Sequence, residues 1–287
     1  MRALVKCSAM RARAALPSAA RRAGSSASAT TASASAVFQE FITANKDISY
    51  SSSGQGPTRV DVAVKPDLTS VAVNVLSSIS CVGAETCAGD NAWAFFNGTS
   101  MSTPHIAGSA AVLLDLSNKS WSPARIKSAL VNRADLVVKD AKTDLHDVGP
   151  QVQGSGREDL TAAANATTWL SPVSASFGKV PTGSPTSVVI TVFNPTGNVQ
   201  NFTVREWKFT PSTFGDTVDS VYGAGTITIG DSRVSTVPSF SVPAGGSYNF
   251  TVTINPAHSN GVAQGWINLD GPGTNDLHFA YYAQVGP

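Results

Sequence analysis

The chain has 287 residues, 42% hydrophobic and 14% charged, a globular composition long enough for one large domain or two ordinary ones. Its 20 Lys and Arg against 19 Asp and Glu give a formal charge of +1, which excludes a pervasively basic face for nucleic acid or anionic membranes. No apolar run reaches the ~18 residues of a spanning helix, and three cysteines without a CxxC pair exclude a disulfide miniprotein and a cysteine zinc site.

Residues 1–37 read as a low-complexity leader. Arg2, Lys6, Arg11, Arg13, Arg21 and Arg22 all precede the first acidic residue, Glu40, and every residue from Ala23 to Ala36 is Ala, Gly, Ser or Thr. Such a segment has nothing large to bury against the entropy of ordering. Its composition fits either an organelle transit peptide or a mis-assigned start, and it lacks the apolar run of a secretory signal.

Residues 38–168 alternate extended and helical pieces. Ile48 and Tyr50 enter a Ser/Gly loop that ends at Pro57, and Val71, Val73 and Val75 alternate as a β segment. A helix is expected from about Thr103 to Leu116, with Pro104 in its first turn. Ile106, Ala110, Leu113 and Leu114, with small residues between them, predict that it is buried. A second helix begins at Ser122-Pro123, an N-cap followed by proline, and carries Ile126, Ala129, Leu130 and Ala134 at helical spacing.

From Trp169 the pattern becomes β. Val188, Ile190 and Val192 alternate before the turn Asn194–Asn198, and Phe202 and Val204 follow it. Tyr248, Phe250, Val252 and Ile254 alternate strictly, as do Leu277, Phe279, Tyr281, Ala283 and Val285. Residues 169–287 are therefore expected to form a β-sandwich with a core of its own.

The chemistry concentrates in Asn97-Gly98-Thr99-Ser100-Met101-Ser102-Thr103-Pro104-His105-Ile106-Ala107-Gly108. A serine at the N-terminal end of a helix meets unpaired backbone N–H groups and the positive end of the dipole, which can stabilise an oxyanion formed on attack. Glycine at position 98 permits close approach of a substrate backbone. The G-x-S-x-G elbow is not met, because Ser102 stands at its second glycine.

Gly98–Gly108 resembles the nucleophile motif G-T-S-M-[AS]-x-P-H-[IV]-A-G of the subtilisin-like serine proteases, the subtilases of peptidase family S8. Ser49–Pro57 resembles the family's S-x-S-S-x-G-P loop, Lys65–Leu68 its K-P-D-[IL] segment, Trp121–Leu130 the helix after the nucleophile and Gly154–Arg157 its G-x-G-[RYW] end piece. Thr69-Ser70-Val71-Ala72 stands where the family usually has T-A-P-G. The resemblance covers about residues 45–165. It implies an α/β fold, here an incomplete subtilisin-like parallel-sheet domain, followed by an all-β sandwich similar in position to the fibronectin-III-like domain of large subtilases.

The resemblance assigns Ser100 as acylating nucleophile, Gly98 and Thr99 as substrate contacts, and His105 to the helix alone. It implies a protein or peptide substrate, no metal, no cofactor and an extracellular location. In subtilisin the triad runs Asp, His, Ser along the chain. Here no histidine precedes Ser100, and Asp47, Asp61, Asp67 and Asp90 lack the D-[ST]-G setting. Asn45 lacks the glycine-flanked context of the family's oxyanion asparagine. The chain thus resembles the C-terminal half of a subtilase and is expected to be inactive alone. The competing reading is a non-catalytic remnant carrying a sandwich that binds protein or cell-wall ligands.

Cys81 and Cys87 bracket a short Gly-containing loop and are either a disulfide or two free thiols, while Cys7 lies in the leader. His146, His258 and His278 stand singly and read as surface or hydrogen-bonded core histidines, not metal ligands. Sequons occur at Asn97, Asn118, Asn165, Asn201 and Asn249.

Overall fold

The computed structural model describes residues 46–79, 93–140, 147–210, 217–221, 226–229, 232–235, 239–256 and 261–286. Its first elements are the hairpin strands β1 (Val75–Ser78) and β2 (Trp93–Phe96), then helices α1 (Thr99–Leu116), α2 (Pro123–Val131), α3 (Pro150–Gln153) and α4 (Leu160–Ala164). Strands follow: β3 (Trp169–Ser171), β4 (Ala175–Val180), β5 (Thr186–Phe193), β6 (Gln200–Thr210), β7 (Thr217–Val221), β8 (Thr226–Ile229) and β9 (Ser232–Ser235). The last are β10 (Ser239–Val242), β11 (Ser247–Pro256), β12 (Gly261–Asp270) and β13 (Leu277–Val285).

Among the described residues the later strands form two sheets, ordered β10-β6-β12-β13-β4, with β7 also on β6, and β3-β5-β11-β9-β8. All their pairings are antiparallel except β13 with β4. Alternation in the sequence becomes a shared core. Ile190, Val192, Phe250, Val252 and Ile254 from one sheet meet Phe202, Val204, Ile267, Phe279 and Tyr281 from the other. Phe240 stacks on Tyr248 at 4.7 Å and lies 5.4 Å from Phe250, linking the sheets. Each such ring contributes about 1.5–3 kcal/mol by leaving water.

The earlier segment departs from the expected parallel sheet. Among its described residues, parallel pairing is limited to two isolated bridges, Ile48 to Lys139 and Thr69 to Arg157. Ile48 and Tyr50 are thus not a strand, and Val71 and Val73 are exposed and irregular, with β1 beginning only at Val75. Asn74 takes a φ of 54°, which breaks extended backbone before Val75. The second helix starts as expected, with Ser122 Oγ accepting from the Arg125 N–H at 3.2 Å and Pro123 opening it, but it ends at Val131, so Ala134 lies beyond it.

The end piece at Gly154–Arg157 is held by geometry that only glycine satisfies. Gly154 (φ 60°) and Gly156 (φ 118°) have no room for a Cβ, which would lie 2.2 Å from the Pro66 carbonyl and 2.3 Å from that of Asp135. In return Ser155 N–H reaches Asp67 O at 3.0 Å, Thr69 N–H reaches Gly156 O at 2.8 Å, and Glu158 N–H reaches Thr69 O at 2.8 Å. Arg157 bridges Asp47 and Asp135, the latter at 2.8 Å.

This segment covers the outer face of β12 and β13. Val62 and Val64 form a second core with Trp266, Ala280 and Tyr282, and Leu136 packs on it. Buried Asn132 is the polar hub: it accepts from Ser128 Oγ at 2.8 Å and donates to the carbonyls of Val173 at 2.9 Å and His278 at 2.8 Å. Ser128 Oγ in turn accepts from Leu170 N–H at 2.7 Å. The junction near Thr168 is therefore packed against α2. Replacing Asn132 by Ala strands several of these buried groups, at about 1–3 kcal/mol each. A lowered urea midpoint with unchanged m-value is the expected result, and a midpoint equal to wild type counts against the hub.

Candidate active site

Ser100 occupies the second position of α1 and is exposed. The chain enters through Gly98 at φ 136° and ψ 166°, a backbone region open essentially to glycine alone. Gly98 caps the helix without a side-chain hydrogen bond. The first-turn N–H groups of Thr99 and Ser100 thus carry the helix's partial positive charge next to the serine hydroxyl.

The entry loop is fastened to residues 70–74. Gly98 N–H donates to Ala72 O at 2.8 Å, Asn74 N–H donates to Asn97 Oδ1 at 2.7 Å, and Ser102 Oγ donates to Ser70 O at 3.1 Å. The backbone groups of this extended stretch therefore serve the serine loop instead of a β ladder, which is why no strand forms at Val71 and Val73.

Two expectations for α1 are corrected. The helix starts at Thr99, four residues before the expected position, so Pro104 lies inside it and not in its first turn. Proline has no N–H to give the Ser100 carbonyl. Thr103 Oγ1 binds the Thr99 carbonyl at 3.1 Å one turn back. Nor is the helix buried: within it only Ser109 and Leu113 are. Its inner side packs with α2 and α4 through Leu113, Ile106 and Ala110. An apolar groove of about 510 Å³ lies open between α1 and α2, lined by Ile106, Ala110, Leu114, Trp121, Ile126 and Leu130.

No acid–base partner for Ser100 is assembled from the described residues. His105 is five residues along the same helix, about 140° around its axis and 7.5 Å further along it. Asp47 pairs with Arg157, and Asp67 with Lys65 at 2.7 Å and Lys127 at 3.3 Å. Asp61 accepts from Thr58, which holds its carboxyl below the usual carboxylate range. Asp90, Asn45, the Cys81–Cys87 loop, His146 and His258 lie outside the described residues. Among the described residues no cluster of three His, Cys, Asp or Glu side chains could hold a metal, and no helix is long and apolar enough to cross a membrane.

Residues 17–158 match the model of the Subtilase family, Peptidase_S8. The match contains Gly98, Thr99 and Ser100 and begins inside the segment assigned to the leader. The chain is 34% identical over 126 residues to the minor extracellular protease Vpr of Bacillus subtilis, covering 44% of this chain and 15% of that protein. It is 37% identical over 124 residues to the subtilisin-like protease SBT1.7 of Arabidopsis thaliana, covering 39% and 16%. The chain thus spans about a sixth of the length of these relatives. Among solved structures it is similar to a PapD-like domain of human CEP192 at 14% identity, over 42% of this chain and 85% of that one, with a TM-score of 0.32.

The geometry separates two glycines of α1. Gly98→Ala places a side chain in a disfavoured backbone region, at roughly 1–3 kcal/mol, although nothing but Ser100 N lies within 4 Å of the new Cβ. Gly108→Ala meets nothing within 4 Å and gains helix propensity of about 0.5–1 kcal/mol. Hydrogen exchange at the start of α1 should accelerate in the first variant and slow or stay constant in the second. Equal behaviour in both would show that Gly98 does not hold the loop.

Proposed function

We propose that residues 38–168 are the C-terminal part of a subtilisin-like serine endopeptidase domain and that residues 169–287 are a fibronectin-III-like β-sandwich attached to it. The observation that carries this reading is Ser100, exposed at the first turn of α1 behind a glycine at φ 136°, within a segment that matches the subtilase family. In the complete site Ser100 Oγ attacks a peptide carbonyl, Gly98 and Thr99 line the approach of the substrate backbone, and the first-turn N–H groups face the developing oxyanion. Collapse of the tetrahedral adduct expels the amine and leaves an acyl-Ser100, which water then hydrolyses. The substrate is a protein or peptide, the reaction needs no metal or cofactor, and the enzyme acts outside the cell.

Among the described residues the serine proton has no acceptor. No histidine precedes Ser100, His105 lies on another side of α1, and Asp47, Asp61 and Asp67 are bound elsewhere. In subtilisin, loss of the base histidine alone lowers turnover about 10⁶-fold. The helix dipole, worth about 1 kcal/mol, does not compensate. This chain alone is therefore inactive, and the base comes from polypeptide that this sequence does not contain.

A fluorophosphonate probe tests the reading on the purified chain, on Ser100→Ala, and on a version extended upstream to include D-[ST]-G and H-G-T-H segments. Labelling should appear only in the extended protein and vanish with Ser100→Ala. Ser100-dependent labelling of the short chain at a protease-like rate would falsify the fragment reading. A folded extended protein that stays unlabelled favours the non-catalytic remnant with a binding sandwich.

A further inference from the structure

His278 sits where the early segment meets β13, on the outer face that carries Ala280 and Tyr282. Its ring Nε2 lies 2.6 Å from the Ser155 carbonyl, its backbone N–H donates to Asn132 O at 3.0 Å, and its carbonyl accepts from Asn132 Nδ2 at 2.8 Å. A carbonyl can only accept, so Nε2 carries the proton and Nδ1 is the bare nitrogen of a neutral ring. Trp266 makes the parallel contact one residue earlier, Nε1–H to Gly154 O at 2.8 Å.

The same seam contains buried polar side-chain atoms without a protein partner. Ser155 Oγ is buried without a partner, and so are Gln264 Oε1 and Asn268 Nδ2, on the face of β12 shared with Trp266.

We propose that this seam is an acid-sensitive latch: protonation of His278 at Nδ1 loosens the 154–157 loop and the Val62–Val64 segment from the outer face of β12 and β13. The inference does not rest on the subtilase reading. The charged groups that face the histidine do not provide a free counter-ion. Asp135 attracts the extra proton but already pairs with Arg157, which also holds Asp47. Arg133, just beyond α2, is buried with its guanidinium on Thr274 O and Asn275 Oδ1, and Asp276 is its coulombic partner. Desolvation outweighs the hydrogen bond to Ser155 and the field of Asp135, so the ring's pKa in the closed state lies below its ordinary value. The unfolded or opened chain therefore binds the proton first. Stability of the seam is fully present above about pH 6.5 and is lost as pH falls from there toward the depressed value.

The experiment is hydrogen exchange by mass spectrometry on the full chain at pH 7.5 and 5.0, corrected for intrinsic exchange, with wild type and His278→Gln. Gln can still donate an N–H to Ser155 O but does not titrate. In wild type at pH 5.0, peptides spanning 60–68 and 150–158 should lose protection about tenfold more than peptides from β5 and β11, and the difference should disappear in His278→Gln. Equal acid loss in both proteins, or uniform loss over the whole chain, overturns the latch. If the variant does not fold, NMR titration of the wild-type histidine rings decides: a His278 midpoint at or above about 6.5 overturns it, and a lower midpoint supports it.

Discussion

Two aromatic ring nitrogens, one from Trp266 and one from His278, bind the successive carbonyls of Gly154 and Ser155, and the architecture of the chain turns on that pair of bonds. They can form only because Gly154 and Gly156 turn the backbone through positive φ while it is pressed against residues 66–67 and 135. The loop so placed holds Thr69 by backbone bonds, and the 70–74 stretch that follows Thr69 holds the Ser100 loop. A contact on the surface of the large sheet is thus transmitted through backbone hydrogen bonds to the start of α1.

That chain of contacts explains how a segment whose described residues form no sheet beyond one strand pair keeps a definite conformation. Its own apolar clusters are small: Leu113, Ala129, Leu130, Ala163 and Ala166 form one, and Val62 and Val64 reach their core only by borrowing Trp266, Ala280 and Tyr282. Elsewhere it leaves large side chains in solvent, with Trp93 61% and Phe95 68% exposed. Burial against the sheet adds to the packing of that helical cluster.

Much of this was readable from residue order. Ser122-Pro123 marked the start of α2, and strict alternation marked the core faces of β5, β11 and β13, although in β13 Ala280 and Tyr282 are buried on the opposite face as well. The serine motif pointed to a helix N-terminus at Ser100 but misled on its boundary, since proline tolerance in a first turn was weighed and the Asn97 and Gly98 bonds to residues 72–74 were not visible. β12 escaped the pattern because it is covered on both faces, so Gln264 and Asn268 are buried beside apolar neighbours and no alternation survives. His278 read as an isolated histidine, and Asn132 carried no signal in the sequence. Their roles depend on neighbours up to 146 positions away, a separation that no local spacing encodes.

The position of β13 has a consequence for how the protein is made. This strand is the latest in chain order among those described, yet it lies between β12 and β4 and pairs in parallel with β4, about a hundred residues earlier. A ribosome delivers residues 46–168 first, and the surface that covers Val62 and Val64 is completed only when Leu277–Val285 emerges. Throughout that interval the early segment has apolar side chains and unpaired loop carbonyls but no sheet to receive them. Non-local pairing of this kind is slow and exposes sticky intermediates, so the early segment reaches its packed state only after Leu277–Val285 has been delivered.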